Sequence, residues 1–258
     1  MQSLRSVAWL LAIIPQALSH GGGMLYTIDG VEHTGTHASV LNKVTGSIQR
    51  VWTWDGINEV SNDHLACRHS GEPYDISYHA PTKAGSTINV NYTDPLRFNP
   101  PWSFGHGYGP MMAYMAACPD SGCETVNLTA PIWFKIWEAG LLSGTWTTGH
   151  WAMADVMNGA TLNIPTPKNL KKGKYILRHE MISIETGQMQ IFPNCIHLDV
   201  RGDGSSVPKK DELVSFPGTY DGYAGVSWEM EGQGSEWFWV VHQYDTFYTI
   251  PGPEVWKG

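Results

Sequence analysis

The sequence predicts an all-β protein, an antiparallel β-sandwich with long loops. Short runs of β-forming residues recur along the chain, turn-forming Gly, Pro and Asn separate them, and almost no stretch has a helical period. Residues 221–247, rich in Trp, Gly and Glu, are predicted to form a loop. The predicted strands are Met24–Ile28, Ile48–Trp54, Ser86–Tyr92, Met111–Ala117, Trp133–Trp137, Leu162–Ile164, Lys174–Ile184 and Ile196–Val200.

Before the first strand lies a predicted secretion signal, residues 1–19. It has Arg5 near its start, then an apolar run, a proline and small residues that place the cleavage immediately before His20. A histidine at the start of a mature chain offers its α-amine and its imidazole Nδ1 to one metal ion, and Gly21–Gly23 add no side chains. The alternative is that His20 follows the cleavage site by coincidence.

Residues 20–258 are predicted to form one domain, without a linker or a Cys-rich carbohydrate-binding module. The chain is 42% hydrophobic and 16% charged, enough to bury a large core, and after residue 19 no apolar run approaches the roughly 20 residues of a membrane helix. A net charge of −8 argues against nucleic acid as a partner. Twelve Trp and eleven Tyr favour a neutral ligand such as a sugar, although Trp also fills cores.

Four cysteines in a chain with a signal peptide predict two disulfides, for which three pairings are possible. Cys118 and Cys123 are close enough in sequence to close a small loop, which leaves Cys67 to pair with Cys195. A cysteine metal site is disfavoured because the sequence contains no C-x-x-C.

Two further features fit an extracellular protein. Asn91 and Asn127 each begin an N-glycosylation sequon, and both are predicted to carry a glycan. The chain is accordingly predicted to be secreted and extracellular.

One of the eleven histidines stands out as a candidate metal ligand. His106 lies in a Gly-rich loop, residues 104–110, where the neighbouring glycines allow close approach of another segment. The strand Met111–Ala117 follows directly and would hold this loop in place. The other internal histidines are interpreted as solvated or hydrogen-bonded side chains.

Several contiguous sequence blocks accompany His20 and the His106 that stands ahead of Gly109-Pro110. The blocks are Met112–Cys118, Trp133–Gly140, Gly173–Glu180, Gln190–Cys195, Val214–Gly218 and Tyr248–Pro253, with Trp256 near the end. In these residues, and in their order over nearly the whole mature chain, the chain resembles the fungal lytic polysaccharide monooxygenases of auxiliary activity family nine.

This resemblance implies an immunoglobulin-like sandwich that holds one copper ion through three nitrogens. Carried over, these are the α-amine and Nδ1 of His20 and the Nε2 of His106. Such nitrogen ligands suit copper, which also stands at the top of the divalent affinity series. The resemblance further implies a monomer that uses an external electron donor and O₂ or H₂O₂.

The sequence departs from the family at two positions near the expected copper. Phe192 stands where the family has an axial tyrosine, and Glu185 stands where it has a histidine that contacts oxygen. Gln190 and Phe192 are two residues apart, so on a strand both side chains face the same way. We expect Gln190 and Glu185 to orient the oxygen co-substrate and Phe192 to fill the axial side. Under the alternative interpretation, Phe192 is a core residue and Glu185 a solvated one.

The expected activity is oxidative cleavage of a β-1,4-glucan, cellulose or possibly hemicellulose, at C1 and/or C4. Exposed aromatic residues should stack on the sugar rings, and the candidates are Tyr26, Trp228, Trp237 and Trp239. The two departures leave a second hypothesis open, a non-catalytic copper- or carbohydrate-binding protein on the same scaffold.

Overall fold

The computed structural model describes residues 21–36, 45–68, 71–73, 75, 77–93, 104–223 and 234–258. Strands dominate, and they are β1 (Gly22–Ile28), β2 (Val31–Thr34), β3 (Ala80–Lys83), β4 (Thr87–Thr93), β5 (Met111–Ala117), β6 (Trp133–Ala139), β7 (Leu141–Ser143), β8 (His150–Trp151), β9 (Leu162–Pro165), β10 (Gly173–Ser183), β11 (Gln190–Ile191) and β12 (Asn194–Arg201). Helical structure in this part of the chain is limited to α1 (Ala152–Met157), a 3₁₀ turn (Lys210–Glu212) and a π-helical turn (Trp237–Val241). The all-β prediction is confirmed.

Two sheets form the sandwich. One has the order β2-β1-β4-β9, the other β3-β12-β10-β5-β6 with β11 added to the end of β10, and β7 and β8 form a separate hairpin. All pairings between the described strands are antiparallel except that of β3 with β12. Alternate residues of each strand point between the sheets, where Ile28, Val90, Met115, Leu177 and Leu198 are buried in one core.

The central strand β10 positions the two ends of the sandwich. Its start pairs with the end of β12 at Gly173 and Val200, and its end pairs with the start of β5 at Met181 and Met111. The segment before β5 and the segment after β10 therefore meet at one end of the molecule, and the candidate ligand His106 precedes β5.

One predicted strand is wrong. Of Ile48–Trp54, only Gln49 and Arg50 form bridges, with Ile196 and Pro73 respectively. This segment and β3 share the same edge of β12. Because β3 pairs with residues 198–201 of β12, the segment cannot extend its own pairing along that edge. Strands β2, β3, β7, β8 and β11 were not predicted, and all five contain only two to four residues.

Both disulfides are present, Cys67–Cys195 and Cys118–Cys123, with Cα–Cα distances of 5.4 and 5.0 Å, so the predicted pairing is confirmed. No helix in the described residues is long and apolar enough to cross a membrane. The predicted signal at residues 1–19, the expected ligand His20 and the candidate Trp228 lie outside the described residues.

Candidate metal site and its aromatic surface

The loop that carries His106 is tied to the end of β10. Ile182 donates its backbone N–H to the carbonyl of Pro110 at 3.0 Å, and Ile184 donates to the carbonyl of Tyr108 at 3.2 Å. Gly109 has φ +136°, and a Cβ there would lie 1.9 Å from the carbonyl oxygen of Ile182. Only glycine allows this close approach, which brings His106 beside the residues that follow β10.

The two ring nitrogens of His106 have different surroundings. Nδ1 lies 2.8 Å from Oε1 of Glu185, whereas Nε2 is buried and has no hydrogen-bond partner. The His106 side chain is only 2% exposed. A buried imidazole nitrogen without a partner is uncommon in proteins, and a ring held through its other nitrogen is the usual arrangement of a metal-binding histidine. His106 therefore fits a metal ion at Nε2.

The start of the described chain lies close to this histidine. The carbonyl of Gly21 accepts a hydrogen bond of 3.0 Å from Nη1 of Arg68. The guanidinium of Arg68 lies over the Phe192 ring, 5.0 Å from its centre, and the Phe192 ring is 5.4 Å from that of His106. Gly21 is thus linked to His106 through Arg68 and Phe192.

Packing requires glycine at position 22. A Cβ at Gly22 would lie 2.7 Å from both Asn194 Oδ1 and the Trp52 ring, and the N–H of Gly23 donates to that same Asn194 oxygen at 3.1 Å. These contacts hold Gly22 and Gly23 against Asn194, the first residue of β12.

Phe192 is fully buried and packs edge-on against Phe104, with ring centres 5.1 Å apart. Gln190 and Phe192 share one side of the segment, because a Cβ at Gly56 would come within 3.0 Å of both side chains. The amide oxygen of Gln190 is buried and has no hydrogen-bond partner.

Unpartnered polar atoms gather at this place. Five buried side-chain polar atoms of the described residues lack a partner, and three of them, on His106, Gln190 and Asn194, surround Phe192 and the chain start. Such atoms are stable when water or a ligand satisfies them. Within the described residues, no group of three His, Cys, Asp or Glu side chains could hold a metal ion.

Glu185 contacts His106 and Ser183. Its Oε1 faces Nδ1 of His106 and its Oε2 accepts a 2.8 Å hydrogen bond from the hydroxyl of Ser183. Nδ1 and Nε2 are on different edges of the imidazole, so the carboxylate lies behind the ring as seen from the candidate metal position. The side chain is only 13% exposed, so Glu185 is not a solvated residue.

Two of the four proposed sugar-binding aromatics are buried, so those predictions are wrong. Tyr26 is in the core, where its hydroxyl bonds Gln49 and His179, and Trp237 packs against Trp146. Trp239 is 40% exposed and donates its indole N–H to the carbonyl of Glu185 at 3.1 Å.

The residues after Trp239 extend the exposed apolar surface. Among the residues that the structure describes, five of the eight exposed large hydrophobic side chains lie between residues 239 and 247, and Tyr244 and Phe247 are 80% and 77% exposed. These two aromatics were missed, as was Arg68. The aromatic run of the segment was visible in the sequence, but an isolated arginine gives no signal of burial.

Comparison with known proteins agrees with this arrangement. The profile of Auxiliary Activity family 9 (formerly GH61) matches residues 20–236. The AA9 family lytic polysaccharide monooxygenase-like protein CEL1 of Agaricus bisporus is 35% identical, over 92% of this chain and 71% of its own length. The AA9 family lytic polysaccharide monooxygenase B of Heterobasidion irregulare is 34% identical, over 95% and 94%.

Among solved structures, HiLPMO9B superposes with a TM-score of 0.75 at 32% identity and covers 93% of this chain and all of its own. LPMO9A of H. jecorina superposes with a TM-score of 0.74 at 26% identity, over 93% and 92%. The fold and the site therefore define a lytic polysaccharide monooxygenase sandwich. The chain belongs to Auxiliary Activity family 9, a family of copper enzymes that cleave polysaccharides oxidatively.

Proposed function

We propose that this protein is a secreted, copper-dependent lytic polysaccharide monooxygenase that cleaves a β-1,4-glucan, cellulose before hemicellulose, at C1 and/or C4. The observation that carries the proposal is the buried, unpartnered Nε2 of His106 beside the chain start. Family membership supports the reaction class.

His20 and His106 would hold the metal in this proposal. His20 is covalently bonded to Gly21, whose carbonyl Arg68 fixes near Phe192, and cleavage before His20 would release the amine that completes a set of three nitrogens. Copper, reduced by an external donor, would supply the activation of O₂ or H₂O₂ needed to break a C–H bond of the sugar.

The surrounding side chains would shape the reaction space. Phe192 would offer the metal no oxygen ligand and, being fully buried, would exclude water from its side of the site. Gln190 adds an amide whose oxygen has no protein partner and which can therefore orient a small polar co-substrate.

A polysaccharide chain would lie across the exposed aromatics. Trp239 is anchored to the backbone of Glu185, and Tyr244 follows it on the same surface segment. Flat aromatic side chains with large exposed area bind sugar rings by stacking, without requiring charge.

The test is incubation of the secreted protein with cellulose, copper and ascorbate, followed by mass spectrometry. We expect oxidised oligosaccharides from the wild type and none from His106→Ala, which should also lose tight copper binding. His150→Ala, at an exposed histidine, is the matched control and should retain both. Amino-terminal sequencing should begin at His20.

The second candidate is a non-catalytic copper- or carbohydrate-binding protein, favoured by the absence of the family's tyrosine and histidine at Phe192 and Glu185. Tight copper binding without oxidised products on several glucans and xylans would support it. A secreted protein that starts at another residue would contradict the copper site itself.

A further inference from the structure

We propose that Glu185 is a positioning residue for His106, whose carboxylate holds the imidazole in the Nδ1–H tautomer and so keeps Nε2 free for a metal. The copper part of this inference rests on the proposed function, whereas the tautomer does not. It replaces the role we expected from the sequence, contact with the oxygen co-substrate.

The carboxylate of Glu185 is held on both sides. Oε1 lies 2.8 Å from Nδ1 of His106 and Oε2 accepts from the Ser183 hydroxyl at 2.8 Å. The indole of Trp239 also binds the Glu185 backbone carbonyl. With a side chain only 13% exposed, Glu185 has little freedom to turn toward solvent.

The His106 ring is also fixed in orientation. Its centre lies 5.5 Å from that of Phe104 and 5.4 Å from that of Phe192. Glycines on both sides of His106 supply no side chain that could bind the ring. The contact with Glu185 therefore decides which ring nitrogen carries the proton.

The chemistry of the two tautomers favours one of them. A carboxylate accepts hydrogen bonds, so Nδ1 must carry the proton for the 2.8 Å contact to be favourable. The other tautomer would place the Nδ1 lone pair against the carboxylate and bury an N–H at Nε2 without an acceptor. A carboxylate behind a ligating histidine also makes the ring a stronger donor to the metal.

The first experiment uses the metal-free protein, with nitrogen-15 in its histidines. At mildly alkaline pH, where imidazole is neutral, two-bond nitrogen–proton NMR spectra should show His106 as the Nδ1–H tautomer. Glu185→Gln should keep it, because an amide oxygen still accepts, and Glu185→Leu should shift it toward Nε2–H. A wild-type His106 that is protonated at Nε2 would overturn the proposal, even if a variant fails to fold.

Copper binding provides the second readout. Glu185→Leu should weaken Cu(II) binding by about 10- to 100-fold in calorimetry and change the electron paramagnetic resonance spectrum, with Glu185→Gln between it and the wild type. The matched control is Asp155→Leu, which removes an exposed histidine–carboxylate contact of equal length, 2.8 Å to His150, and should change neither. Unchanged affinity and tautomer in Glu185→Leu would overturn the proposal.

The two proposals fail separately. Wild-type protein with an Nδ1–H His106 but no copper binding would contradict the proposed function and leave the tautomer role intact. Oxidised products from an enzyme whose His106 carries its proton on Nε2 before copper is added would contradict the tautomer role and leave the proposed function intact.

Discussion

Arg68 connects several parts of the candidate site. Its guanidinium donates to the backbone carbonyls of Gly21, Trp54 and Asp55, and it is fully buried beneath Trp52 and Phe192. Burial lowers the pKa of Arg68 to about 9, so the group stays charged at neutral pH and donates to all three carbonyls. A planar group with five donors is suited to this task, and lysine is not.

Replacing Arg68 should therefore affect both stability and metal binding. In Arg68→Met, the buried carbonyl of Gly21 and the partly buried carbonyls of Trp54 and Asp55 lose a donor, and we expect the free energy of unfolding to fall by about 3 kcal/mol. Copper affinity should fall as well, because Gly21 is no longer held. Urea unfolding and copper calorimetry measure the two effects.

Arg201→Met is the control for Arg68, since its side chain is exposed and should contribute less than about 0.5 kcal/mol. Wild-type copper affinity in Arg68→Met would mean that the chain start is fixed by other contacts.

At the scale of the elements, β10 and β12 carry two arginine–carboxylate pairs of the same spacing in different environments. Arg178 and Glu180 on β10 are fully buried, and Tyr220 donates to the same carboxylate. Asp199 and Arg201 on β12 are exposed. The sequence shows both pairs as alternating charges on a strand and does not show which one is inside.

Breaking the buried pair should be far more costly. Glu180→Gln leaves the Arg178 charge without its counter-ion, and we expect a loss of about 3–5 kcal/mol in the free energy of unfolding. Asp199→Asn should cost less than about 1 kcal/mol because solvent screens the exposed pair. Equal losses in chemical denaturation would show that burial does not set the strength of the ion pair.

The same two strands carry buried histidines that predict acid sensitivity. Burial, aided by Arg178, lowers the pKa of His179 to about 3, and burial, aided by Arg50, lowers that of His197 to about 3. Below the unfolded value of about 6.5, the unfolded chain binds protons that the folded chain does not. Stability is therefore lost as the pH falls from about 6.5 toward 3.

The slope of this loss is measurable. Each of His179 and His197 should contribute up to about 1.4 kcal/mol per pH unit, and unfolding in urea between pH 6.5 and 5 avoids most carboxylate titration. His179→Gln should reduce the slope by up to one proton. A pH-independent free energy in this window would contradict the buried neutral state.

At the scale of the whole molecule, positive charge gathers at the end opposite His106, where β10 begins and β3 and β12 end. Six Lys and Arg side chains of the described residues reach solvent there, and they are Lys83, Lys168, Lys171, Lys172, Lys174 and Arg201. Eleven residues of β10 separate the ends by about 35 Å, several Debye lengths at physiological salt.

The net charge of −8 predicts binding to an anion exchanger. Because Lys and Arg side chains gather at one end, the protein should also bind a cation exchanger at low salt and mildly alkaline pH. Lys171→Gln with Lys172→Gln should elute from the cation exchanger at lower salt. Ser143→Glu with Thr148→Glu changes the net charge equally at the other end and should not. Equal shifts for both double variants would show that net charge alone decides retention.

The sequence by itself determined the sandwich, the cysteine pairs and the candidacy of His106. These follow from local signals: alternating runs form strands, two cysteines five residues apart close a loop, and a histidine between glycines lies in a loop that can approach another segment. The sequence blocks shared with the family are also local signals, because each is a contiguous run of residues, and they predicted the reaction class.

Tertiary structure alone decided which side chains face solvent and which edge of His106 faces Glu185. The alternation of residues along β1 does not show which face of the strand the second sheet covers. Tyr26 lies on the covered face, where it is buried and its hydroxyl is hydrogen-bonded. Glu185 and His106 are 79 residues apart and meet only because β5 and β10 pair. Contacts made across a sheet depend on register, which no local pattern of residues contains.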